Sequence, residues 1–181
     1  MNNILQGNVN DKLKEIESDS IQCVVTSPPY WGLRDYGTDD QLGLEATPEE
    51  YVDNMVKVFR EVKRVLKDDG TVWLNLGDSY CGGNRKSNPK QSMNGEKETG
   101  HKIGYTPSRD MNHDTIKPKD LVGIPWRVAF ALQSDGWYLR QDIIWHKPNP
   151  MPESVTDRCT KSHEYIFLLS KSAKYFYDND A

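Results

Sequence analysis

The fold is decided by the stretch IQCVVTSPPYW, residues 21–31. Its first six residues are mostly β-branched or apolar, which is typical of a central strand covered on both faces. Two consecutive prolines, Pro28 and Pro29, then end the strand, because proline has no backbone N–H to donate to a sheet. The stretch therefore predicts a buried strand with a stiff turn at its carboxyl end.

A long helix and a second buried strand are predicted after this turn. Thr47-Pro48-Glu49-Glu50 combines an N-cap residue, a proline in the first turn and a Glu that completes a capping box. Apolar side chains then recur at helical spacing from Tyr51 to Leu66, and Gly70 is a typical helix stop. Residues 71–76 follow as an apolar strand that ends at Gly77-Asp78.

The rest of the chain predicts further helices and strands in alternation. We expect a short strand at 3–6, a short helix at 11–17, a helix at 121–134, strands at 137–145 and 163–169, and a short strand at 174–177. This order is typical of an α/β fold with a mostly parallel sheet. The last two long strands have no helical pattern between them, so we expect them to pair antiparallel at the edge of the sheet.

Charge divides the chain into three parts. The 181 residues carry a net charge of −4, made up of −7 in residues 1–81, +3 in 82–120 and zero in 121–181. The middle part has few apolar side chains and cannot form a core of its own. We therefore expect two α/β parts, 1–81 and 121–181, joined by a mobile basic loop. That loop is either a solvated insertion or an arm that follows phosphates.

Composition also excludes several classes of protein. No apolar run approaches the roughly 18 residues that a membrane helix needs, and the first residues lack a signal-peptide pattern. The sequence thus predicts a soluble cytoplasmic protein. Three widely spaced cysteines favour neither a disulfide framework nor a cysteine-rich zinc site.

Three predicted strand ends are candidates for a ligand site, namely Gly7-Asn8, residues 26–31 and Asn75-Leu76-Gly77-Asp78. Ligands of open α/β sheets bind outside the carboxyl ends of the strands. Residues 26–31 offer a hydroxyl, proline carbonyls without sheet partners, and two aromatic rings. Hydrogen-bond acceptors beside a flat ring suit a nucleobase with an exocyclic amino group. The alternative is a plain Pro-Pro turn followed by a Tyr and a Trp in the core.

The string Thr26 to Trp31 resembles motif IV of the DNA amino-methyltransferases, the site-specific DNA methylases of prokaryotes and phages that act in restriction–modification. Residues 71–80, 145–152 and 158–164 are similar to later blocks of the same family. The resemblance implies a partial Rossmann-like, S-adenosylmethionine-dependent methyltransferase sheet with an antiparallel edge hairpin. Ser27, in place of Asp, is more typical of cytosine-N4 enzymes. Adenine-N6 methylation is the alternative.

The resemblance also implies roles for individual residues. Ser27, Pro28, Pro29 and Tyr30 form the catalytic segment: the Ser27 hydroxyl and the Pro28 carbonyl accept the two amino hydrogens of a base flipped out of double-stranded DNA. Tyr30 stacks on that base. Trp31 supports the pocket wall or packs in the core.

Cofactor and DNA contacts are implied in the same way. Asn8 stands where the family often has an acidic residue near the cofactor adenine, and Asp78 either lines the pocket or caps a turn. Contacts to DNA are expected from Lys147, Asn149 and His146, and from the loop residues Arg85, Lys86, Lys90, Lys97, Lys102 and Arg109.

One block of the family is missing from the sequence. The chain has no Gly-x-Gly turn of the type that holds the cofactor, and the place where we expect it is after the last strand. We therefore expect a second chain or a C-terminal segment to supply the cofactor site, with a homodimer as a further possibility. The alternatives are an inactive fragment or DNA-binding remnant, and a related enzyme that methylates a protein glutamine, which usually has Asn at position 27.

Overall fold

A computed structural model describes residues 3–38, 40–81 and 116–180 of the chain. Its elements, in chain order, are α1 (Val9–Lys14), β1 (Ile21–Thr26), α2 (Pro48–Val65), β2 (Leu66–Leu76), α3 (Ile124–Ser134), β3 (Tyr138–His146) and β4 (His163–Ser170). The four strands form one sheet in the order β1-β2-β4-β3. The α/β class is confirmed.

The direction of the strands agrees with the prediction for most of the sheet. β1 and β2 pair parallel, while β4 runs antiparallel to both of its neighbours, β2 and β3. Three strands therefore point the same way, and β4 is reversed between two of them. The antiparallel pair at the edge is confirmed, with β3 as the outer strand of that pair.

Two predicted strands do not form. Residues 3–6 and 174–177 lie outside the strands of the sheet. Ile4 is 95% exposed, and a strand without a neighbour has no partner for its backbone N–H and C=O groups. Element boundaries also shift: α1 is Val9–Lys14 rather than 11–17, β2 begins at Leu66 rather than 71, and α3 begins at Ile124. Pro125 sits in the first turn of α3, where its missing N–H costs nothing.

The hydrophobic core lies on one face of the sheet, under α2 and α3. Thr47 caps α2, accepting a hydrogen bond from the Glu50 N–H. The helix buries an apolar stripe that includes Tyr51 and Phe59. These side chains join the alternate residues of β2 and β4 that point to the same face, among them Leu74, Leu76, Phe167 and Leu169.

The opposite face of the sheet is largely open to solvent. Val25 on β1 is 79% exposed and Trp145 on β3 is 52% exposed. With Trp73 and Ile166 they line an apolar cleft of about 480 Å³. The prediction of a buried central strand at residues 21–26 is wrong for the described part of the chain, because there β1 pairs only with β2 and stands at the edge of the sheet with one face exposed. Among the described residues, no helix has the length and apolarity needed to cross a membrane.

Candidate active site

The predicted motif lies where two parallel strands end together. β1 ends at Thr26 and β2 at Leu76, and the two strands pair side by side. Ser27, just beyond β1, lies 3.3 Å from the side-chain oxygen of Asn75 on β2. The ring of Tyr30 lies against Gly77, where only a residue without a Cβ leaves room for it. The turn therefore places the aromatic ring of Tyr30 close to Ser27.

A hydrogen-bond network connects these side chains. The Tyr30 hydroxyl lies within hydrogen-bond distance of two acceptors, Oδ1 of Asn75 at 2.7 Å and Oε2 of Glu164 at 3.1 Å. The Ser27 hydroxyl is 3.3 Å from both the Tyr30 oxygen and Asn75 Oδ1. Asn75 Nδ2 donates to the Tyr165 carbonyl at 3.1 Å. That bond holds the amide with its oxygen towards the two hydroxyls.

An ion pair completes the network on β4. Lys147 contacts Glu164 Oε1, on the carboxylate whose other oxygen is near Tyr30. Burial opposes ionisation of Glu164, but the hydrogen bond and charge of Lys147 outweigh it and lower the pKa of Glu164. Burial raises the pKa of the Tyr30 phenol, and the nearby Glu164 carboxylate acts in the same direction. Near neutral pH the network therefore consists of a carboxylate and two neutral hydroxyls.

A small cavity opens onto this network. It has a volume of about 270 Å³, and its lining includes Ser27, Pro28, Tyr30 and Glu164. The carbonyls of Pro28 and Pro29 differ in their hydrogen bonding. The buried Tyr51 hydroxyl donates to the Pro29 carbonyl at 2.9 Å, so this acceptor is already engaged. No described group donates to the Pro28 carbonyl. Ser27 and Pro28 thus provide the acceptors available to a ligand.

A second cavity lies on the other side of the proline turn. It measures about 940 Å³ and is lined by Asn8, Pro29 and residues 36–38 and 40–42, among others. Asn8 caps α1, accepting a hydrogen bond from the Asn10 N–H at 2.9 Å. The structure therefore places Asn8 and Pro29 around one cavity, although the two are about 20 residues apart in the sequence.

Two predicted pocket residues have structural partners instead. Trp31 is 3% exposed within the core, and its indole N–H donates to the Glu45 carbonyl at 3.0 Å. Asp78 Oδ1 accepts hydrogen bonds from the backbone N–H groups of Ser79, Gly123 and Ile124 at 2.9–3.0 Å. These contacts favour core packing for Trp31 over a place in the pocket wall. They favour capping for Asp78 over a place in the pocket lining.

The expected DNA contacts are only partly within the described residues. Lys147 is bound to Glu164 beside the cavity, whereas His146 and Asn149 are exposed. The basic loop residues lie outside the described residues: Arg85, Lys86, Lys90, Lys97, Lys102 and Arg109.

Sequence reasoning assigned no role to two members of the network, Asn75 and Glu164, although Asn75 belongs to one of the three candidate strand ends. Asn75 is only 9% exposed and is a polar residue in an otherwise apolar run that ends a strand. Such a residue is a signal for a functional contact, since buried polar groups need partners. Glu164 belongs to a segment that resembled the family, but its own role was not assigned.

The chain was compared with known proteins. A family model described as DNA methylase (N6_N4_Mtase) matches residues 21–181. This chain belongs to the DNA methylase family. Among curated relatives, the Type II methyltransferase M.SmaI of Serratia marcescens is 54% identical over 97% of the chain and 58% of its own length. M.Cfr9I of Citrobacter freundii is 51% identical over 98% of the chain and 57% of its own length.

Solved structures with the same fold are more distant in sequence. The PvuII DNA methyltransferase (cytosine-N4-specific) superposes with a TM-score of 0.61 at 17% identity, covering 95% of the chain and 50% of its own. TTHA0409 of Thermus thermophilus, crystallised with S-adenosyl-L-methionine, has a TM-score of 0.60 at 22% identity, with 96% and 55% coverage. These likenesses confirm the methyltransferase fold of this DNA methylase. The chain spans somewhat more than half the length of the curated relatives it matches.

Proposed function

We propose that this DNA methylase is the catalytic part of a site-specific Type II DNA methyltransferase. The reaction is transfer of a methyl group from S-adenosylmethionine to N4 of a cytosine. The observation that carries the proposal is that Ser27, with its hydroxyl, and Pro28, whose carbonyl has no donor among the described residues, line one cavity. An exocyclic amino group offers two N–H donors, so it matches this pair.

The geometry suits a reaction that depends on positioning. The lone pair of the amino nitrogen is delocalised into the base, which makes it a weak nucleophile. Acceptors on both hydrogens draw the nitrogen towards a pyramidal form and direct its lone pair at the sulfonium methyl. Positioning of this kind can supply several kcal/mol of the barrier reduction. A proton then leaves the nitrogen for solvent.

The base reaches the cavity by leaving the duplex. Flipping costs a few kcal/mol, which contacts in the pocket repay. In our proposal the ring of Tyr30, in the wall of the Ser27 cavity, stacks on the flipped base. Tyr30→Leu would keep an apolar side chain but lose the flat face. It would weaken binding to DNA with an abasic site at the target position less than it weakens binding to DNA that carries the target base.

Cytosine is preferred over adenine because position 27 is Ser. Nucleoside analysis of DNA from cells expressing the gene tests this directly. We expect N4-methylcytosine. Exclusive N6-methyladenine would replace the cytosine assignment with the adenine alternative, while unmethylated DNA would favour a DNA-binding remnant.

A further segment or second chain supplies most of the cofactor site in this proposal. The support is the exposed apolar face at Val25 and Trp145 and the edge of β1 that has no strand partner among residues 3–38, 40–81 and 116–180. Asn8 contributes from this chain, in the cavity beyond Pro29. We expect the chain alone to bind S-adenosylmethionine weakly in isothermal titration. Micromolar binding at full occupancy would contradict the proposal that a further segment or second chain supplies most of the cofactor site. Homodimerisation would show in the same samples by sedimentation.

Phosphate contacts are assigned to the basic part of the chain, 82–120, between the two α/β parts 1–81 and 121–181. The proposed contacts are Arg85, Lys86, Lys90, Lys102 and Arg109, together with Lys147 and Asn149 near the cavity. Replacing Arg85 by Gln should weaken binding to all duplexes alike and lower the slope of log affinity against log salt by about one. An unchanged slope would place Arg85 away from DNA. The complete enzyme would act in the cytoplasm, on duplex DNA.

A further inference from the structure

The carboxylate of Glu164 is the charged end of the network around Ser27, and the mechanism above does not use it. Its Oε1 contacts Lys147, and its Oε2 lies 3.1 Å from the Tyr30 hydroxyl. The side chain of Glu164 is 18% exposed, so it is largely withdrawn from water. A carboxylate in this position accepts hydrogen bonds, and it therefore influences the direction in which neighbouring hydroxyl hydrogens point.

We propose that Glu164 is a positioning residue that sets the direction of the Ser27 hydroxyl through Tyr30. By accepting from the Tyr30 hydroxyl, Glu164 leaves an acceptor inside the network for the Ser27 hydrogen. The lone pairs of the Ser27 oxygen then face the cavity, where the target amino group needs an acceptor. The inference rests on the proposed function, which supplies the amino group.

The network has few acceptors for its hydroxyl hydrogens. Two hydroxyl hydrogens, of Ser27 and Tyr30, point into the network. Asn75 Oδ1 is within reach of both, at 3.3 and 2.7 Å, and its Nδ2 is held by the Tyr165 carbonyl. Glu164 Oε2 is the additional acceptor, within reach of Tyr30. The Tyr30 oxygen can in turn accept from Ser27 at 3.3 Å.

Without the carboxylate, Asn75 Oδ1 is the remaining described acceptor for the Tyr30 hydrogen, and the Ser27 hydrogen must share that oxygen or use the longer contact with the Tyr30 oxygen. The Ser27 hydrogen is then held less firmly inside the network, and the population in which it turns towards the cavity increases, where it meets the N–H groups of the target amino group. Two donors facing each other make no hydrogen bond, and the serine loses its function as acceptor. Glu164 therefore affects the reacting amino group without touching it.

Lys147 keeps Glu164 in the state that this role needs. A protonated Glu164 would itself be a donor and would leave Tyr30 without this acceptor. The Lys147 ammonium beside Oε1 favours the carboxylate form. Lys147 is also 6.0 Å from the centre of the Trp145 ring, which further restricts its side chain.

The test compares Glu164→Gln with Glu153→Gln in the methylation-competent protein. Glu153 is a matched control, because it has a similar ion pair with Arg158 and similar partial burial but no contact with the network. We expect Glu164→Gln to lower kcat about ten- to a hundredfold while KM for DNA changes less than about threefold, as for loss of a charged hydrogen bond at the reacting centre. Glu153→Gln should leave both within about twofold.

A double variant separates positioning from a general loss of structure. If Glu164 acts through Tyr30, Tyr30→Phe combined with Glu164→Gln should be no slower than Tyr30→Phe alone. If the two substitutions lower kcat independently, so that their effects multiply in the double variant, the inference is overturned. Equal kcat values for Glu164→Gln and Glu153→Gln would also overturn it.

A measurement that needs no enzymatic activity distinguishes failure of the proposed function from failure of the inference about Glu164. NMR titration of Tyr30 should show a lower phenol pKa in Glu164→Gln, because the nearby carboxylate disfavours the phenolate, and no change in Glu153→Gln. If the wild-type protein methylates no DNA but this difference is present, the proposed function fails and the hydrogen-bond arrangement stands. An unchanged Tyr30 titration in Glu164→Gln overturns the inference in either case.

Discussion

The ring of Tyr30 lies directly against Gly77, so that a Cβ added at Gly77 would stand 2.5 Å from Cε2 of Tyr30. That distance is well inside van der Waals contact. Gly77 directly follows β2, and Tyr30 follows β1 by four residues. The contact therefore joins the two strand ends and brings the Tyr30 hydroxyl to Asn75.

Gly77→Ala should displace Tyr30 and with it the hydrogen bonds to Asn75 and Glu164. We expect the free energy of unfolding to fall by about 1–3 kcal/mol, as for an overpacked site, and methylation to fall more strongly. Urea denaturation and the initial rate of methylation measure the two effects. In a Tyr30→Ala background the same glycine change should cost almost nothing. A full stability loss there would mean that another neighbour causes the clash.

Tyr51→Phe should loosen the proline turn without creating a cavity. The buried hydroxyl of Tyr51 donates to the Pro29 carbonyl at 2.9 Å, and its loss costs about 1 kcal/mol. The exposed Tyr138 provides the control, and Tyr138→Phe should change stability by less than about 0.5 kcal/mol. Denaturant midpoints of the two variants give the comparison. Equal midpoints would show that the turn does not depend on Tyr51.

Asp78→Ala should destabilise the start of α3. Three backbone N–H groups lose their acceptor, from Ser79, Gly123 and Ile124, which we expect to cost about 1–3 kcal/mol. Asp78→Asn keeps the oxygen and should retain most of the stability. If Asp78→Asn unfolds normally but loses methylation, Asp78 belongs to the pocket rather than to the cap alone.

The Arg60–Asp135 pair should make stability depend on acid pH. Arg60 on α2 donates to both oxygens of Asp135, which follows α3. Hydrogen bonds from Arg60 hold the pKa of Asp135 below its usual range. Because the folded-state pKa is lowered, this stabilisation is present above the unfolded pKa of about 4 and is lost as pH falls through the folded value.

Arg60→Met should therefore be less stable than the wild-type chain at pH 7, with a difference that shrinks below pH of about 4. Urea midpoints between pH 7 and pH 3 measure it. Lys57→Met removes another exposed cation of α2 that contacts Asn54 rather than an acid, and it should show no such trend. A difference that stays constant with pH would assign the effect of Arg60 to packing.

Local sequence was sufficient for most elements of this fold. The apolar spacing after Thr47 predicted α2 almost to the residue, and the Pro-Pro pair marked the end of β1, because helix periodicity and proline geometry act over a few neighbouring residues. Residues 3–6 were predicted wrongly as a strand because a strand also needs a partner, which local pattern does not reveal.

In the candidate site, too, local sequence predicted some residues and only the tertiary structure revealed others. Ser27 and Tyr30 were proposed from their own short motif, at a place where chemistry is expected in this class of fold. Asn75 reaches Ser27, and Glu164 reaches Tyr30, only because β2 is parallel to β1 and β4 is inserted antiparallel beside β2. The order of strands in a sheet is set by long-range packing, so only the tertiary structure could decide which carboxylate lies beside the Tyr30 hydroxyl.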